Sequence, residues 1–415
     1  MKALLCKLTA AVLLSVGLAS TAAAQAQEPI RFGVSTAVSG DAASYGKPFL
    51  DAIQYVADEF NKTGGIMGRK VQVIYYDDRG VPDQGLQASK KLVFDDKVHV
   101  LQPGSTSGVI LSSMPVGKDG KVAMWGYGLS KQWLVESEGA IFRSASPDQV
   151  MVSGLANFAH AQRKLRRVGI LHIDNFYGES TRDLFKTSFE AAGDNAKVIA
   201  IATASDGTRD FSSQLLTLSR AKLDGLVIIV TGSNFGPAFR QARQFLGKDV
   251  DLMADTQMAD PKTRAEIQEL AVGAFYASSP MTPLNPDPVA QRWVGELRKK
   301  FGIYQEIMGR AVVGMTVMKE AIERAKSTDS VAIMKEVHKM RNFATPAGPF
   351  TYDPRDGEAL KTGVVIEATG GSDPTKDKVV FTSRSSDPVY KERIDYTRIF
   401  GAGYREQLYK LHGVN

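Results

Sequence analysis

Val98-His99-Val100-Leu101-Gln102-Pro103-Gly104-Ser105-Thr106-Ser107-Gly108-Val109-Ile110 reads as a short buried strand, a turn of small residues and the start of a helix. Ser105, Thr106 and Ser107 are residues that cap helix N-termini, beside backbone N–H groups that the first turn leaves free. Such a terminus favours anions, because the free N–H groups and the helix dipole both point outward. Gly104 and Gly108 let a ligand approach the backbone closely. An ordinary capped helix is the plain alternative, and the remainder of the chain decides between them.

Upstream, Ile30–Val34 reads as a strand running into the polar glycine loop Ser39–Gly46. From Pro48, the residues Phe49, Leu50, Ile53, Val56, Ala57 and Phe60 recur at helical spacing, and Asn61-Lys62-Thr63-Gly64-Gly65 ends the run. A strand Val71–Tyr76, a helix over 82–94, the opening strand and its helix, and a strand Val122–Trp125 follow. The next loop is Gly126-Tyr127-Gly128-Leu129-Ser130. Past Arg143-Ser144-Ala145-Ser146-Pro147 a second series begins, with strands Val168–Ile173, Lys197–Ala202, Leu226–Val230, Val250–Ala254 and Val272–Ser278. Helices over 179–192, 210–222 and 236–246 lie between them. Prolines 280, 283, 286 and 288 mark a rigid connection, after which helices return over 288–301, 305–326 and 330–341. Pro346-Ala347-Gly348-Pro349 reads as another crossing, before strands at Val364–Glu367 and Lys378–Phe381.

Strand, loop and helix alternating at this spacing imply parallel sheets with helical crossovers. The expected fold is therefore α/β, with two doubly wound parallel-sheet lobes joined by three crossover segments near 145, 280 and 347. Lobe 1 takes 27–145 plus 280–346, and lobe 2 takes 146–279 plus 347–383. The polar and aromatic stretch 384–415 is expected to be a loosely packed C-terminal extension. In open sheets of this kind, ligands sit outside the carboxyl ends of the strands. That rule gathers the loops Asp41–Gly46, Gly104–Gly108, Gly126–Ser130, Asp174–Gly178, Thr231–Phe235 and Asp255–Gln257, rich in hydroxyls, glycines and aromatics.

The chain has 415 residues, 43% hydrophobic and 23% charged, which fits a two-domain globular protein. Lys2 and Lys7, the apolar run Leu8–Leu18 and Ala22-Ala23-Ala24 form the pattern of a secretory signal peptide over 1–26. Its removal takes the two lysines away, so the formal charge of +6 becomes +4. That balance is too mild to imply nucleic acid, and no basic stripe interleaves with aromatics. The single cysteine, Cys6, lies inside the signal, which excludes disulfides, a thiol nucleophile or a lipid anchor from the processed chain. The five histidines are scattered, without metal-ligand spacing, and Asp77-Asp78 has no histidine partner, so no metal and no cofactor are expected. Gly104-Ser105-Thr106-Ser107-Gly108 has threonine where a nucleophile elbow needs serine, which speaks against a hydrolase.

Ser39-Gly40…Tyr45-Gly46, Asn61-Lys62-Thr63-Gly64-Gly65-Ile66…Gly68-Arg69, Tyr76-Asp77-Asp78 and Tyr177-Gly178 resemble the leucine/isoleucine/valine-binding family of periplasmic proteins. These are type I solute-binding components of ABC importers, and the resemblance runs from about residue 29 to 370. It implies a periplasmic monomer that closes two lobes over a small molecule and delivers it to membrane permease subunits. It further implies that Gly104, Ser105 and Thr106 hold a ligand carboxylate and that Gly128 and Ser130 belong to a second contact loop. Tyr45 and Tyr177 match aromatic residues lining the cleft. The family's acidic partner for a ligand ammonium falls near Asp255-Thr256, where no glutamate stands and Asp255 is the substitute. The expected ligand is a branched-chain or other amino acid. An aromatic carboxylic acid, suggested by the bulk of Trp125 and Tyr127, and a urea- or amide-like solute are the alternatives, as is a sensory role on a membrane receptor.

Overall fold

A computed structural model describes residues 27–414, so the signal-peptide reading over 1–26 lies outside the described residues. The first sheet is wholly parallel and holds β1 (Ile30–Thr36), β2 (Val71–Asp77), β3 (Val100–Gln102), β4 (Ala123–Gly126) and β5 (Ile141–Arg143). Its order is β2-β1-β3-β4-β5, so the chain reverses its direction of winding between β1 and β3. Strand β5 is too short for its alternation to show in the sequence. Helices α1 (Ala43–Lys62), α2 (Pro82–Lys90), α3 (Ser107–Asp119) and α4 (Gln132–Glu136) make the connections. Phe49, Leu50, Ile53, Val56, Ala57 and Phe60 form the buried face of α1, as their spacing predicts.

The second sheet has seven strands: β6 (Arg167–Ile173), β7 (Lys197–Ala204), β8 (Gly225–Ile229), β9 (Asp251–Ala254), β10 (Phe275–Ser278), β13 (Thr362–Glu367) and β14 (Lys378–Arg384). Its order is β14-β13-β10-β9-β8-β6-β7, with winding reversed between β6 and β8 and the last two strands antiparallel. Helix α5 (Asp148–Ala161) opens this lobe, followed by α6 (Phe176–Ala191), α7 (Ser212–Ser219), α8 (Phe235–Leu246) and α9 (Pro261–Ile267). After β10 the chain returns to the first lobe, where α10 (Pro288–Phe301), α11 (Glu306–Ala325) and α12 (Ser330–Lys339) lie. Helix α11 packs along α1.

Two sequence expectations need correction. Pro346-Ala347 is not a crossing but the turn of a hairpin, β11 (Phe343–Thr345) with β12 (Gly348–Phe350). Phe350 meets Phe142 of β5 edge to face, and Tyr352 stacks near His338 of α12, so the chain stays on the first lobe and crosses only through 353–361. Nor is the stretch beyond 384 loosely packed. Tyr390, Ile394, Tyr396, Tyr404 and Leu408 are buried. With crossings near 145, near 280 and through 353–361, the chain adds a fourth, just after β14, and its last helices, α13 (Thr397–Phe400) and α14 (Tyr404–His412), lie against the first lobe. The composition looked solvated because tyrosines here bury a ring while the hydroxyl finds a partner: Tyr396 with Tyr352 at 2.8 Å, Tyr404 with His338 at 3.1 Å.

Candidate functional site

A cavity of about 670 Å³ lies between the lobes, lined by loops at the carboxyl ends of both sheets. The loops after β1, β3, β6 and β8, which flank the two winding reversals, all reach it. That is the crevice where doubly wound sheets hold ligands.

One local device places an aromatic ring in the cavity from each lobe. After β1 the chain enters α1 with Tyr45-Gly46, and after β6 it enters α6 with Tyr177-Gly178. A Cβ on Gly46 would lie 2.1 Å from the Ala37 carbonyl oxygen, and one on Gly178 2.1 Å from that of Ile173. Only glycine lets the first helical turn fold so closely over the strand end, and this presents the preceding tyrosine to the cavity. Tyr177 donates its hydroxyl to Asp255 at 2.5 Å. Burial keeps both phenols protonated, so they act as donors.

The opening stretch forms the anion-favouring terminus of α3, though not by the hydroxyls expected. Asp78, buried at the end of β2, takes the Ser105 hydroxyl at 2.6 Å and its N–H at 2.9 Å, and also the Ser35 hydroxyl and the Gly80 N–H. Ser105 is therefore committed to holding the loop. Burial raises the Asp78 carboxyl, and these hydrogen bonds hold it down. Thr106 is the N-cap, accepting the Val109 N–H at 3.2 Å. The N–H groups of Thr106, Ser107 and Gly108 have no acceptor among the described residues, and they are the donors this terminus leaves for a ligand.

Of the residues singled out from sequence, Tyr45, Ser105, Thr106, Gly128, Tyr177 and Asp255 line the cavity. Gly104 and Ser130 do not. A Cβ on Gly104 would sit 2.4 Å from Val109, so this glycine serves the packing of strand on helix. Ser130 gives its N–H to Ser107 and its carbonyl to Arg143, which fixes the second loop from behind. Trp125 also lies outside the lining. It packs on Phe32 and on Gly314 of α11, so its bulk says nothing of the ligand, whereas Tyr127 does line the cavity, its ring tilted against Phe49.

Asp255 caps the short turn Thr256–Ala259, accepting the Gln257 N–H at 3.0 Å. Burial raises its carboxyl, and the Tyr177 hydroxyl opposes that rise. It forms no ion pair within the chain among the described residues. Sequence reading missed the segment Gln305–Arg310, which also enters the cavity. Glu306 pairs with Arg310 at 2.6 Å, Arg310 donates to the Tyr127 carbonyl at 3.2 Å, and Gln305 reaches Asp260 of the other lobe at 2.7 Å. The available signal was a lone arginine in the apolar run Ile307-Met308-Gly309-Arg310-Ala311-Val312-Val313, four residues after a glutamate.

At the cavity's lip the lobes touch directly. The Ser233 hydroxyl lies 3.1 Å from Asp41, and Arg209 donates to Ser233 at 3.1 Å. Among the described residues no cluster of three metal-binding side chains occurs, and no helix is long and apolar enough to cross a membrane.

A family model described as periplasmic binding protein matches residues 29–373. The Leu/Ile/Val-binding protein BraC3 of Rhizobium johnstonii is 27% identical over 353 residues, covering 83% of this chain and 92% of the relative. A leucine-binding protein, LivK, from Thermotoga maritima superposes with a TM-score of 0.76 at 22% identity, over 86% of this chain and 99% of that one. A solute-binding protein of an ABC transporter from R. palustris, solved in complex with benzoate, superposes at 0.78 with 16% identity, over 88% and 99%.

Proposed function

The chain belongs to the periplasmic binding protein family, and from that premise we propose that it is the extracytoplasmic solute-binding component of an ABC importer, capturing a small carboxylate-bearing solute between its lobes. On this reading it hands the solute to permease subunits in the membrane and carries out no chemistry on it. The observation that carries the proposal is the cavity between two lobes, bounded by the N–H groups opening α3 and by Asp255, neither of which has a charged partner among the described residues.

These two groups favour an amino acid over a bare acid. A carboxylate on the α3 terminus gains the helix dipole and two or three backbone donors. A bare acid would leave Asp255, Asp260 and Glu306 in a cavity whose deep part has Arg310 as its one cation among the described residues. An ammonium group beside Asp255 restores the balance. The relatives' names point the same way, since several are called Leu/Ile/Val-binding proteins. Calorimetric titration of amino acids and of the matching bare acids into the wild type and Asp255→Asn tests this. A hydrogen bond between charged groups is worth about 1.5–3 kcal/mol, so amino acids should weaken roughly ten- to a hundredfold while bare acids stay within a few-fold. Equal losses for both, or binding only of solutes without a carboxylate, would refute the reading.

A further inference from the structure

Resting on the carboxylate reading above, we propose that Glu306 and Arg310 select the solute by the part that extends beyond its carboxylate, and that this part carries a neutral hydrogen-bonding group, an amide or a hydroxyl, rather than an aliphatic chain. The pair stands at the hinge-side end of the cavity. Glu306 opens α11 and accepts the hydroxyl of Ser279, which lies in the second crossing. The lips, with Asp41 and Ser233, and the α3 terminus, where Gly108 faces Phe176, belong to other loops of the same lining.

The hydrogen bonds leave the pair half finished. Both oxygens of Glu306 are engaged, one by Ser279 and one by Arg310. Arg310 has five N–H donors. One nitrogen serves Glu306, another the Tyr127 carbonyl, and Nε is buried with no partner among the described residues. Gln305 precedes α11 yet does not cap it; its amide crosses to Asp260 instead. Apart from Ile307, this wall is polar, and it is nearly closed to solvent.

An aliphatic side chain pressed against it would strip the remaining water from an ion pair and return no hydrogen bond. A carbonyl or hydroxyl oxygen supplies an acceptor for the two terminal nitrogens, each of which has two hydrogens and one partner among the described residues. A second carboxylate is disfavoured because Glu306 already neutralises Arg310 and Asp255 and Asp260 stand nearby. Sites built to hydrogen-bond a ligand group discriminate strongly against the isostere lacking it.

The test measures binding of matched pairs: threonine against valine, asparagine against leucine, glutamine against methionine, and 4-hydroxybenzoate against 4-methylbenzoate. In the best-bound pair the polar member should bind at least about tenfold tighter, and glutamate should bind more weakly than glutamine. The preference should fall to near unity or reverse in the double variant Glu306→Leu, Arg310→Met. Arg310→Lys, which keeps the charge and loses the fork, should reduce it several-fold even if the double variant fails to fold. An apolar member binding as tightly in the wild type overturns the proposal, as does a preference unchanged by Arg310→Lys. If no carboxylate of any pair binds while urea or acetamide does, the carboxylate reading itself has failed, and this proposal falls with it.

Discussion

At the scale of single residues, the side chains around the cavity are held by partners distant in the chain: Ser105 by Asp78, and Ser130 by Arg143. Tyr45, Tyr177 and Thr106 could be placed from the sequence at the cavity between the lobes because each sits at a strand end followed by a helix. That Ser105 is spent on Asp78 could not be read, since the two lie 27 residues apart and meet only when β2 and β3 flank β1. Asp148 is a similar case. It opens α5, just after the first crossing, and burial raises its carboxyl to about 7. The folded value exceeds the ordinary one, so the folded chain holds this proton more tightly than the unfolded chain. The stability this gives is complete below about pH 4 and is lost as pH rises through about 7, at no more than about 1.4 kcal/mol per pH unit. Asp148→Asn cannot ionise and keeps an acceptor at the helix terminus. Its melting temperature should match the wild type near pH 3.5 and exceed it by several degrees at pH 8; equal values at both would show that Asp148 is solvated.

At the scale of elements, strand–helix alternation was legible because buried parallel strands are continuous apolar runs. The hairpin β11–β12 was misread because Pro-Ala-Gly-Pro marks a turn without saying whether the chain goes on or comes back. The lip contact between lobes was equally invisible. Gly232 has φ +64°, and a Cβ there would lie 2.5 Å from the Asp41 carbonyl oxygen across the cleft. Gly247 also has positive φ, +74°, with open space around it. Alanine at either position costs about 1–3 kcal/mol of backbone strain, the more so at Gly247, whose ψ of −162° is a conformation other residues rarely adopt, but only Gly232→Ala should hold the lips apart. Ligand dissociation should therefore speed up at least tenfold in Gly232→Ala and stay as in the wild type in Gly247→Ala. The same off-rate in both variants would mean that the lips play no part in retention.

At the scale of the molecule, two α/β lobes were legible, and the fourth crossing was not. The returning segment ties onto the first lobe through Tyr390 beside Arg143, an ion pair of Lys131 with Glu392, and the cluster of Tyr396, Phe400 and Tyr404 around His338. Arg143 also donates to the carbonyls of Gly128 and Ser130 and pairs with Glu358, so the second cavity loop and the hinge share one buried guanidinium. A segment this well buried is part of the core. Tyr396→Ala should cost about 3–5 kcal/mol in urea unfolding, and a loss under about 1 kcal/mol would return it to the status of a loose tail.

Closure around a solute is the claim on which the rest depends. Asp83 on α2 and Glu179 on α6 are exposed, one on each lobe, and the only cysteine of the chain is Cys6. Spin labels on Asp83→Cys and Glu179→Cys, in a chain freed of Cys6, report the distance between lobes by pulsed electron resonance. With saturating solute the distances should collapse to one narrow, short population, and without it they should lengthen and broaden, because contacts to both lobes favour the closed state. Identical distance distributions with and without a solute that binds would contradict capture by closure.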